Sequence, residues 1–349
     1  MKLFNDLFLQ IISLENLFLA WEEFRSDKQK KLDVCNFELN VEQHIFKLYR
    51  ELANKTYKHS PYTSFYINDP KRRHIHKATV RDRVLHHAVF RILNPIFEPT
   101  FISNSFSCRI GKGTHRGVLV ANQMVRKESA NYTKPCFVLK CDVKKFFDSV
   151  NHKILLRILE RKIKDDETMW LLDEIVSSFP KGQIALFEKR GLPIGNLTSQ
   201  LFANIYMNEL DQFVKHELKV KHYARYTDDF LIISQNTEYL EKLVKTIESF
   251  LGEHLKLLLH PEKVSIRKFN QGIDFLGYII LPHYKLVRTK TRKRIFRKVK
   301  NRIKEYKCGL IDKNSLDRSF QSYLGIFTHA DAFMISKELK NKYWFWLKD

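Results

Sequence analysis

Apolar residues recur at helical spacing through the first 58 residues of this 349-residue chain. Leu3, Leu7, Ile11, Leu14 and Phe18 follow one another at intervals of three and four, which is typical of one face of an amphipathic helix. Polar residues interrupt every apolar run here, and none approaches the roughly 18 apolar residues that a membrane-spanning helix needs. The pattern predicts helices that pack on the rest of the chain, without a signal peptide or a membrane span.

From residue 62 onward the pattern changes to short runs that are typical of strands. Residues 64–67 and 75–77 flank a turn rich in Asn, Asp and Pro, and this turn carries three consecutive cations. The region predicts a β-hairpin with a basic tip. Such a tip could hold a phosphate group, or it could simply keep the edge of a sheet soluble.

Further helical and strand-like patterns alternate along the chain without tandem repeats, which predicts an α+β fold. One apolar strand ends at Asp142, and a second pair of strand-like runs surrounds Asp228 and Asp229. The other predicted elements are helices at 80–97, 152–179 and 238–259, a strand at 274–281 and a helix within 285–307.

The chain carries 61 Lys and Arg residues against 39 Asp and Glu residues, which gives a formal net charge of +22. An excess of this size indicates a polyanionic partner, most often nucleic acid and less often an anionic membrane surface. The positive charge is densest within residues 285–307. Glu305 is the only acidic residue of this segment, and apolar residues recur in it at helical spacing. This segment predicts an amphipathic helix whose cationic face suits a phosphate backbone.

The five cysteines include no C-x-x-C pair, so zinc ribbons and thioredoxin-type redox sites are unsupported. An odd number of cysteines in a basic chain also argues against a disulfide framework. We therefore expect reduced thiols and a cytoplasmic protein.

The clearest candidate chemistry is the pair Asp228-Asp229 at or beside the turn of a predicted hairpin. Adjacent carboxylates in an apolar setting are unfavourable unless a cation compensates their charge, and carboxylate oxygens suit Mg²⁺. An isolated Asp-Asp pair is more often a solvated turn. Asp142 could supply a third carboxylate, because the end of a buried strand is a common position for a site residue, although it is also an ordinary way to end a strand.

Two glycine-containing loops add weaker signals. The segment Gly111-Lys112-Gly113 precedes a helical pattern and could approach phosphates with its backbone N–H groups, but it lacks the spacing of a P-loop. In the second loop, Pro193 fixes a sharp bend and Gly195 allows another segment to approach the backbone closely.

Taken in order, these blocks resemble the reverse transcriptase family. The resemblance implies a right-hand polymerase of the α+β class, with fingers, a palm built on an antiparallel sheet and a helical thumb. It implies an N-terminal helical extension at 1–58, fingers and palm at 59–285, and a basic thumb at 286–349. The matching blocks are 109–115, 140–151, 191–211, 226–229 and 275–278.

The resemblance also implies an RNA-directed DNA polymerase that uses two Mg²⁺ ions, or Mn²⁺, with an RNA template, a DNA or RNA primer, and dNTPs. Asp142 and Asp228 would bridge the ions, Asp229 would support them, and the Val143 carbonyl would be a backbone ligand. Phe147 stands at the family's steric-gate position, where a bulky ring excludes the ribose 2′-hydroxyl. The implied nucleotide-binding residues are Lys71, Arg73, Phe147, Ile194, Gly195, Gln200 and Lys263. The implied nucleic-acid contacts are Arg109, Lys112, Phe275, Gly277, Tyr278, Arg292, Lys293, Arg297 and Lys300.

One departure points to a subfamily. The block at 191–211 resembles the positioning block of the family, which positions template and nucleotide. Most members have Gln before its Gly and Pro after its Ser, whereas this chain has Ile194 and Gln200. The variant resembles the reverse transcriptases of diversity-generating retroelements, as do the short length and the absence of an endonuclease or maturase extension. That resemblance implies errors at template adenines and a small, basic, ring-forming accessory protein. Ordinary drift in an apolar contact is the alternative interpretation of Ile194.

Three other functions stay open. Another bacterial reverse transcriptase, from an antiphage-defence system, a retron or a group II intron, would share the catalytic core. An RNA-dependent RNA polymerase would share the two-metal chemistry, although Phe147 argues against it. A non-catalytic nucleic-acid binder is disfavoured by the intact set of three aspartates.

Overall fold

The computed structural model describes residues 2–69, 71–179 and 189–349. Its α-helices are α1 (Leu7–Ile12), α2 (Leu14–Arg25), α3 (Leu32–Glu38), α4 (Val41–Ala53), α5 (Val80–Phe97), α6 (Thr114–Glu128), α7 (Phe146–Ser149), α8 (His152–Glu160), α9 (Asp166–Ser177), α10 (Leu197–Gln212), α11 (Thr237–His254), α12 (Thr289–Lys307), α13 (Lys313–Phe327) and α14 (Phe333–Lys348). Its strands are β1 (Thr63–Ile67), β2 (Arg73–Lys77), β3 (Phe137–Asp142), β4 (His222–Tyr226), β5 (Asp229–Ser234), β6 (Ser265–Lys268), β7 (Ile273–Phe275), β8 (Tyr278–Ile280) and β9 (Lys285–Val287).

The described strands form three antiparallel sheets. β1 pairs with β2, and β7, β8 and β9 form a small sheet in that order. The largest sheet has the order β4-β5-β3-β6, so that β3 lies between two strands that follow it in sequence. This arrangement confirms the predicted α+β class and is consistent with a right-hand polymerase whose palm holds an antiparallel sheet.

Strand β3 contributes side chains to two hydrophobic cores, although Lys140 and Asp142 on one of its faces line a cavity. Leu139 and Cys141 belong to one hydrophobic cluster, and Val138 belongs to another. Because successive side chains of a strand point to opposite faces, the sheet lies between two cores. The first core joins the N-terminal helices to α5 and to α8–α11, and the second joins α6, the β7–β9 sheet and α12–α14.

The N-terminal helices do not enclose a core of their own. Their buried residues, among them Leu17, Trp21 and Leu48, share a cluster with the buried residues of the central sheet. The division of the chain at residues 58 and 285 is therefore a proposal about functional parts, not about separate hydrophobic cores.

The basic helix within 285–307 is confirmed as α12, and its buried residues Ile295, Val299 and Ile303 face the second core. The basic-tipped hairpin is also confirmed as β1 and β2; Pro70 at its tip lies outside the described residues. No helix in the described part of the chain is both long and apolar enough to cross a membrane.

The single strand predicted at 274–281 is wrong. The chain instead forms β7 and β8, joined by a two-residue turn at Leu276 and Gly277. Both turn residues have positive φ, 51° and 90°, which suits the twist of a tight hairpin. The apolar run continues through the turn, so periodicity alone could not reveal it.

The single helix predicted at 152–179 is two helices, α8 and α9. Asp165 separates them, because its side chain accepts hydrogen bonds from the backbone N–H groups of Glu167 and Thr168 and so begins a new helix. The same carboxylate accepts the N–H of Phe8 at 2.8 Å, which fixes α1 against α9.

Candidate active site

The three predicted catalytic aspartates lie at one end of the central sheet. Asp142 ends β3 and is paired directly opposite Asp229, the first residue of β5. Asp228 lies in the two-residue turn between β4 and β5, and its backbone carbonyl accepts the N–H of Val143 at 3.1 Å. Antiparallel pairing thus brings together acids that are far apart in sequence.

The Asp-Asp turn has an unusual backbone. Thr227, which precedes Asp228, has a φ of 57°. This region disfavours β-branched residues, so surrounding contacts must hold the turn. The side-chain hydroxyl of Thr227 donates to Oγ of Ser107 at 2.6 Å, and its carbonyl accepts from Nη1 of Arg225 at 2.9 Å.

Burial and mutual repulsion act on the carboxylates of the turn. The pKa of Asp229 is raised to about 6, first by burial and then by the charges of Asp142 and Asp228, against the opposing effect of Lys140. The pKa of Asp228 is raised as well, first by burial and then by Asp142, while Lys263 and Arg73 oppose the rise. These carboxylates therefore lie in a setting that favours a compensating cation.

Two lysines supply part of that compensation. Nζ of Lys263 lies 2.7 Å from Oδ1 of Asp142, and Nζ of Lys140 lies 3.4 Å from Oδ2 of Asp229. The other carboxylate oxygen of Asp229, Oδ1, is buried and has no hydrogen-bond partner in the described part of the chain. Oδ1 of Asp229 is thus free to accept a bond from a ligand such as a metal ion.

Within residues 2–69, 71–179 and 189–349, no group of three or more His, Cys, Asp or Glu side chains has the arrangement of a metal centre. An ammonium group lies beside one carboxylate oxygen of Asp142 and one of Asp229. The donor chemistry nevertheless fits Mg²⁺ or Mn²⁺, because all the candidate ligands are oxygens and one buried oxygen is unpaired. The assignment of Asp142, Val143, Asp228 and Asp229 as metal ligands stays a prediction.

The tip of the β1–β2 hairpin is called the fingertip. Its cations Lys71 and Arg73 lie on the same side of the molecule as the carboxylates. Lys71 lines a cavity of about 410 Å³ together with Asp142, Asp229 and Lys263. Arg73 is close enough for its charge to oppose the raised pKa of Asp228. This placement is compatible with the predicted grip on a triphosphate, which is itself untested.

Phe147 is held by both its ring and its backbone. Its ring packs edge to face against Phe146 with centroids 5.4 Å apart, and its carbonyl accepts the N–H of Leu192 at 2.7 Å. Gly191 in turn donates to the carbonyl of Val150 at 2.8 Å. These bonds connect the predicted sugar gate to the Gly-Pro loop.

The loop at 191–196, which begins the positioning block, contacts the β1–β2 hairpin. The Ile194 carbonyl accepts the N–H of His76 at 3.3 Å. Gly195 has a φ of 116°, and a Cβ there would lie 3.2 Å from Cγ2 of Ile75. Gln200 and Gly195 line a second cavity of about 340 Å³ beside this hairpin, apart from the residues that line the carboxylate cavity.

Three predicted nucleic-acid contacts are turned inward. The Arg109 side chain is 6% exposed and pairs with Glu98 at 2.8 Å, and its guanidinium also donates to two backbone carbonyls. Phe275 and Tyr278 are buried in the second core, and the Tyr278 hydroxyl donates to the Ile326 carbonyl at 3.0 Å. In this conformation their polar and apolar groups already have partners within the chain, and their direct contact with nucleic acid stays a prediction.

Lys112 and Gly277 have structural contacts as well. Nζ of Lys112 donates to the Ser103 carbonyl at 2.8 Å. Gly277 forms the β7–β8 turn, its carbonyl accepts the N–H of Arg288 at 3.0 Å, and a Cβ there would lie 3.4 Å from Oγ1 of Thr291. Gly277 thus allows the small sheet to approach the start of α12 closely.

The thumb cations differ in their availability. Lys293, Arg297 and Lys300 are exposed. Arg292 is half-buried and pairs with Glu338 at 2.7 Å. Arg297 reaches across to the fingertip, where it lies 3.3 Å from Asp69. The exposed members remain candidates for phosphate contacts.

Sequence reasoning missed the residues beneath the Asp-Asp turn. Arg225 and Asp211 form an ion pair at 2.6 Å, and both side chains are fully buried. A signal was present, because Arg225 shares a strand face with the buried Tyr223 and a charge at such a position requires a partner.

Comparisons with known proteins agree with this architecture. Residues 63–280 match the family described as reverse transcriptase (RNA-dependent DNA polymerase). Protein YkfC of Escherichia coli (strain K12) is 26% identical over 268 residues, covering 66% of this chain and 69% of YkfC. Group II intron-encoded protein LtrA of Lactococcus lactis subsp. cremoris is 24% identical over 420 residues, covering 99% of this chain and 66% of LtrA.

Nuclear intron maturase 1, mitochondrial, of Arabidopsis thaliana is 28% identical over 292 residues, covering 57% of this chain and 40% of that protein. The chain spans about two thirds of the length of YkfC and LtrA. The family match covers more than half of the chain and includes β3, the positioning loop and the Asp-Asp turn. The chain therefore belongs to the reverse transcriptase family.

Proposed function

We propose that this chain makes cDNA as an RNA-directed DNA polymerase, with Asp142, Asp228 and Asp229 as its catalytic centre. The observation that carries the proposal is the register of the central sheet, which pairs Asp142 with Asp229 and holds Asp228 in the adjoining turn. Their cavity opens beside Lys71 at the fingertip, and the net charge of the chain is +22. A polyanionic template, primer and nucleotide suit these features.

Each part of the site has a proposed task. The aspartates hold the metal ions, while Lys71 and Arg73 bind the triphosphate. The ring of Phe147 excludes the 2′-hydroxyl of a ribonucleotide. Lys263 moves away from Asp142 and assists the departure of pyrophosphate. Bound Mg²⁺ or Mn²⁺ would activate the primer 3′-hydroxyl and neutralise the charge that develops on the phosphate.

Primer extension on an RNA template tests the proposal. The wild-type chain should extend an annealed DNA primer with dNTPs and Mg²⁺. Asp228→Asn should lower the rate at least about 100-fold, because a ligand that contributes several kcal/mol of charge stabilisation is lost. Asp274→Asn is the matched control, since Asp274 lines the same cavity and pairs with Arg288 rather than with the catalytic aspartates. Full activity of Asp228→Asn would contradict the metal assignment.

We propose further that the polymerase is error-prone at template adenines, as in diversity-generating retroelements. Ile194 supports this, because it places an apolar side chain where most of the family has Gln, in a loop bonded to the fingertip hairpin. Loss of a polar contact near the templating pair would reduce discrimination at that position. A ring of a small basic accessory protein is the proposed partner, and the cytoplasm is the proposed location.

Sequencing of cDNA made from a defined RNA template tests this subtype. Errors should concentrate at adenines, and Ile194→Gln should reduce them. Ile232→Val, a buried apolar change in β5 at a residue with no proposed role in the site, is the control for a general loss of fidelity. Errors spread evenly over the four bases would overturn the subtype while leaving the polymerase proposal intact. A template repeat and a variable repeat beside the gene, differing at adenines, would support it independently.

A group II intron-type reverse transcriptase is the second candidate. The observation that favours it is the alignment with the group II intron-encoded protein LtrA, which covers 99% of this chain. Such an enzyme would copy RNA with errors that show no preference for adenine. The same cDNA sequences therefore discriminate the two candidates.

A further inference from the structure

A fully buried polar network lies beneath the turn that carries Asp228. The carboxylate of Asp211, on α10, accepts Nε of Arg225 at 2.7 Å and Nη2 of Arg225 at 2.6 Å. The hydroxyl of Tyr223 donates to the same carboxylate at 2.8 Å. This bidentate geometry fixes the plane of the guanidinium.

The third arm of the guanidinium reaches the turn itself. Nη1 of Arg225 donates to the carbonyl of Thr227 at 2.9 Å. The position of that carbonyl is therefore set by Asp211, which lies on a helix of the core. Because the peptide plane of the Thr227 carbonyl also contains the N–H of Asp228, the contact constrains the backbone from which the Asp228 side chain extends.

A second connection holds the other side of the turn. The hydroxyl of Thr227 donates to Oγ of Ser107, and the carbonyl of Ser107 accepts Nδ2 of Asn204 at 2.9 Å. Asn204 also lies on α10. Thr227 is thus tied to one helix through two separate routes, which explains how a β-branched residue is kept at a φ of 57°.

The backbone around Arg225 is equally fixed. Its N–H donates to the Asn104 carbonyl at 2.9 Å, and its carbonyl accepts the N–H of Phe106 at 3.0 Å. Ser105 and Arg225 thus form an isolated parallel bridge at the edge of β4. None of these groups is available to a substrate, so the network acts on the reaction only through the turn.

We propose that Arg225 is a positioning residue, which holds the Thr227 carbonyl from Asp211 and so orients the Asp228 carboxylate toward Asp142 for metal binding. The inference rests on the proposed function, since it gives Asp228 a metal to bind. It predicts that the network can be replaced by a stable apolar one only with loss of metal affinity.

The test separates positioning from stability. Replacing both members of a buried ion pair with apolar residues is often neutral or stabilising for a fold, whereas removing one member is damaging. The triple variant Arg225→Met/Asp211→Leu/Tyr223→Phe removes the charges together with the hydroxyl that would lose its partner. The variant Arg225→Lys keeps a cation beside Asp211 but lacks the planar fork that reaches Thr227.

Mn²⁺ binding to the protein without substrate, followed by electron paramagnetic resonance, is the primary readout. Both variants should bind Mn²⁺ about ten- to a hundredfold more weakly than wild type, as expected when an outer partner of a metal ligand is lost. Primer extension should require correspondingly more Mg²⁺, while thermal unfolding stays cooperative. The control is Arg161→Met/Glu209→Leu, which removes a partly exposed ion pair of 2.6 Å elsewhere on the palm.

The outcomes distinguish a failure of the positioning role of Arg225 from a failure of the proposed polymerase function. If the wild-type chain binds Mn²⁺ and both variants bind it equally well, the positioning role fails and the proposed function stands. If Arg225→Lys restores wild-type Mn²⁺ binding, only charge balance matters and the positioning role also fails. If the wild-type chain binds no Mn²⁺ and extends no primer, the proposed function and this inference fail together. If the triple variant does not fold, Arg225→Lys carries the comparison.

Discussion

At the scale of single residues, Asp229 shows how burial and like charge combine. Its pKa rises to about 6 because water is excluded and two other carboxylates lie nearby. Lys140, with Nζ at 3.4 Å, offsets only part of this cost. At neutral pH the group is ionised yet incompletely compensated, which is a suitable condition for binding a divalent cation.

Phe147→Ala should relax the choice of sugar. The ring rests against Phe146, while the backbone is held by Leu192, so truncation should open space without moving the loop. We expect the preference for dNTPs over NTPs to fall by about 100-fold, within the range that a change of pocket shape can produce. Single-nucleotide incorporation measures the ratio.

Phe147→Leu serves as the comparison for this prediction, because it keeps most of the bulk at the same position. It should retain most of the selectivity. Equal dNTP preference in wild type and Phe147→Ala would show that another group forms the gate.

Residues that the sequence motifs single out have very different surroundings in the structure. The end of a strand and a hairpin turn located Asp142 and the Asp228 turn, because both depend on local pattern. Arg109 and Tyr278 lie in equally recognisable blocks, yet each side chain is used internally. A motif states which residue is present and says nothing of its exposure, which depends on packing by distant parts of the chain.

At the scale of elements, two tight hairpins illustrate the same limit. The β4–β5 turn could be predicted because strand-like runs flank two charged residues. The β7–β8 turn could not, because Leu276 continues the apolar run. Neither turn contains the Asn-Gly or Asp-Gly pair that usually marks such hairpins.

Helix α5 carries a buried histidine that should make stability depend on pH. Burial lowers the pKa of His86 to about 3, and its Nε2 faces Nε2 of His59 at 3.3 Å. Between the ordinary pKa near 6.5 and this value, the unfolded chain binds a proton that the folded chain does not. The free energy of unfolding should therefore fall as pH drops below about 6.5, by up to about 1.4 kcal/mol per pH unit for this group.

His86→Gln should flatten that dependence, because Gln does not titrate. Urea unfolding at several pH values between about 7 and 5 measures the slope. His216→Gln, at an exposed position, should leave it unchanged. A slope that is identical in wild type and His86→Gln would contradict the prediction.

At the scale of the whole molecule, the fingertip touches the thumb. Asp69 at the tip of the β1–β2 hairpin lies 3.3 Å from Arg297 and 2.8 Å from Lys298, both on α12. An acid from a distant part of the chain thus pairs with cations on the helix that is expected to follow a phosphate backbone. Nucleic acid and Asp69 would compete for the same charges.

Asp69→Asn should strengthen nucleic-acid binding at low salt. Releasing up to two cations should steepen the dependence of log affinity on log salt by about one to two. Fluorescence anisotropy with an RNA–DNA duplex between about 50 and 200 mM salt measures the slope. Glu253→Gln makes a similar charge change on α11, away from the thumb cations, and should have little effect. Unchanged affinity and slope would show that the contact does not compete.

Sequence patterns anticipated the fold class, the order of most elements and the three acids. They did not anticipate that the N-terminal helices and the palm share a core, or that the thumb shares another with the β7–β9 sheet. Periodicity identifies which face of an element is apolar. It does not identify the element that covers this face, because that choice is made by contacts between residues distant in sequence.

The central position of β3 has a consequence for synthesis of the chain. Its two neighbours in the sheet are β5 and β6, and Asp142 meets its paired residue Asp229 only after roughly 90 further residues have been made. At about 5 to 20 residues per second, a strand with an apolar face formed by Phe137, Leu139 and Cys141 waits several seconds on the ribosome without either partner. The nascent chain should therefore depend on chaperones during this interval, and slower translation between β3 and β5 should increase aggregation.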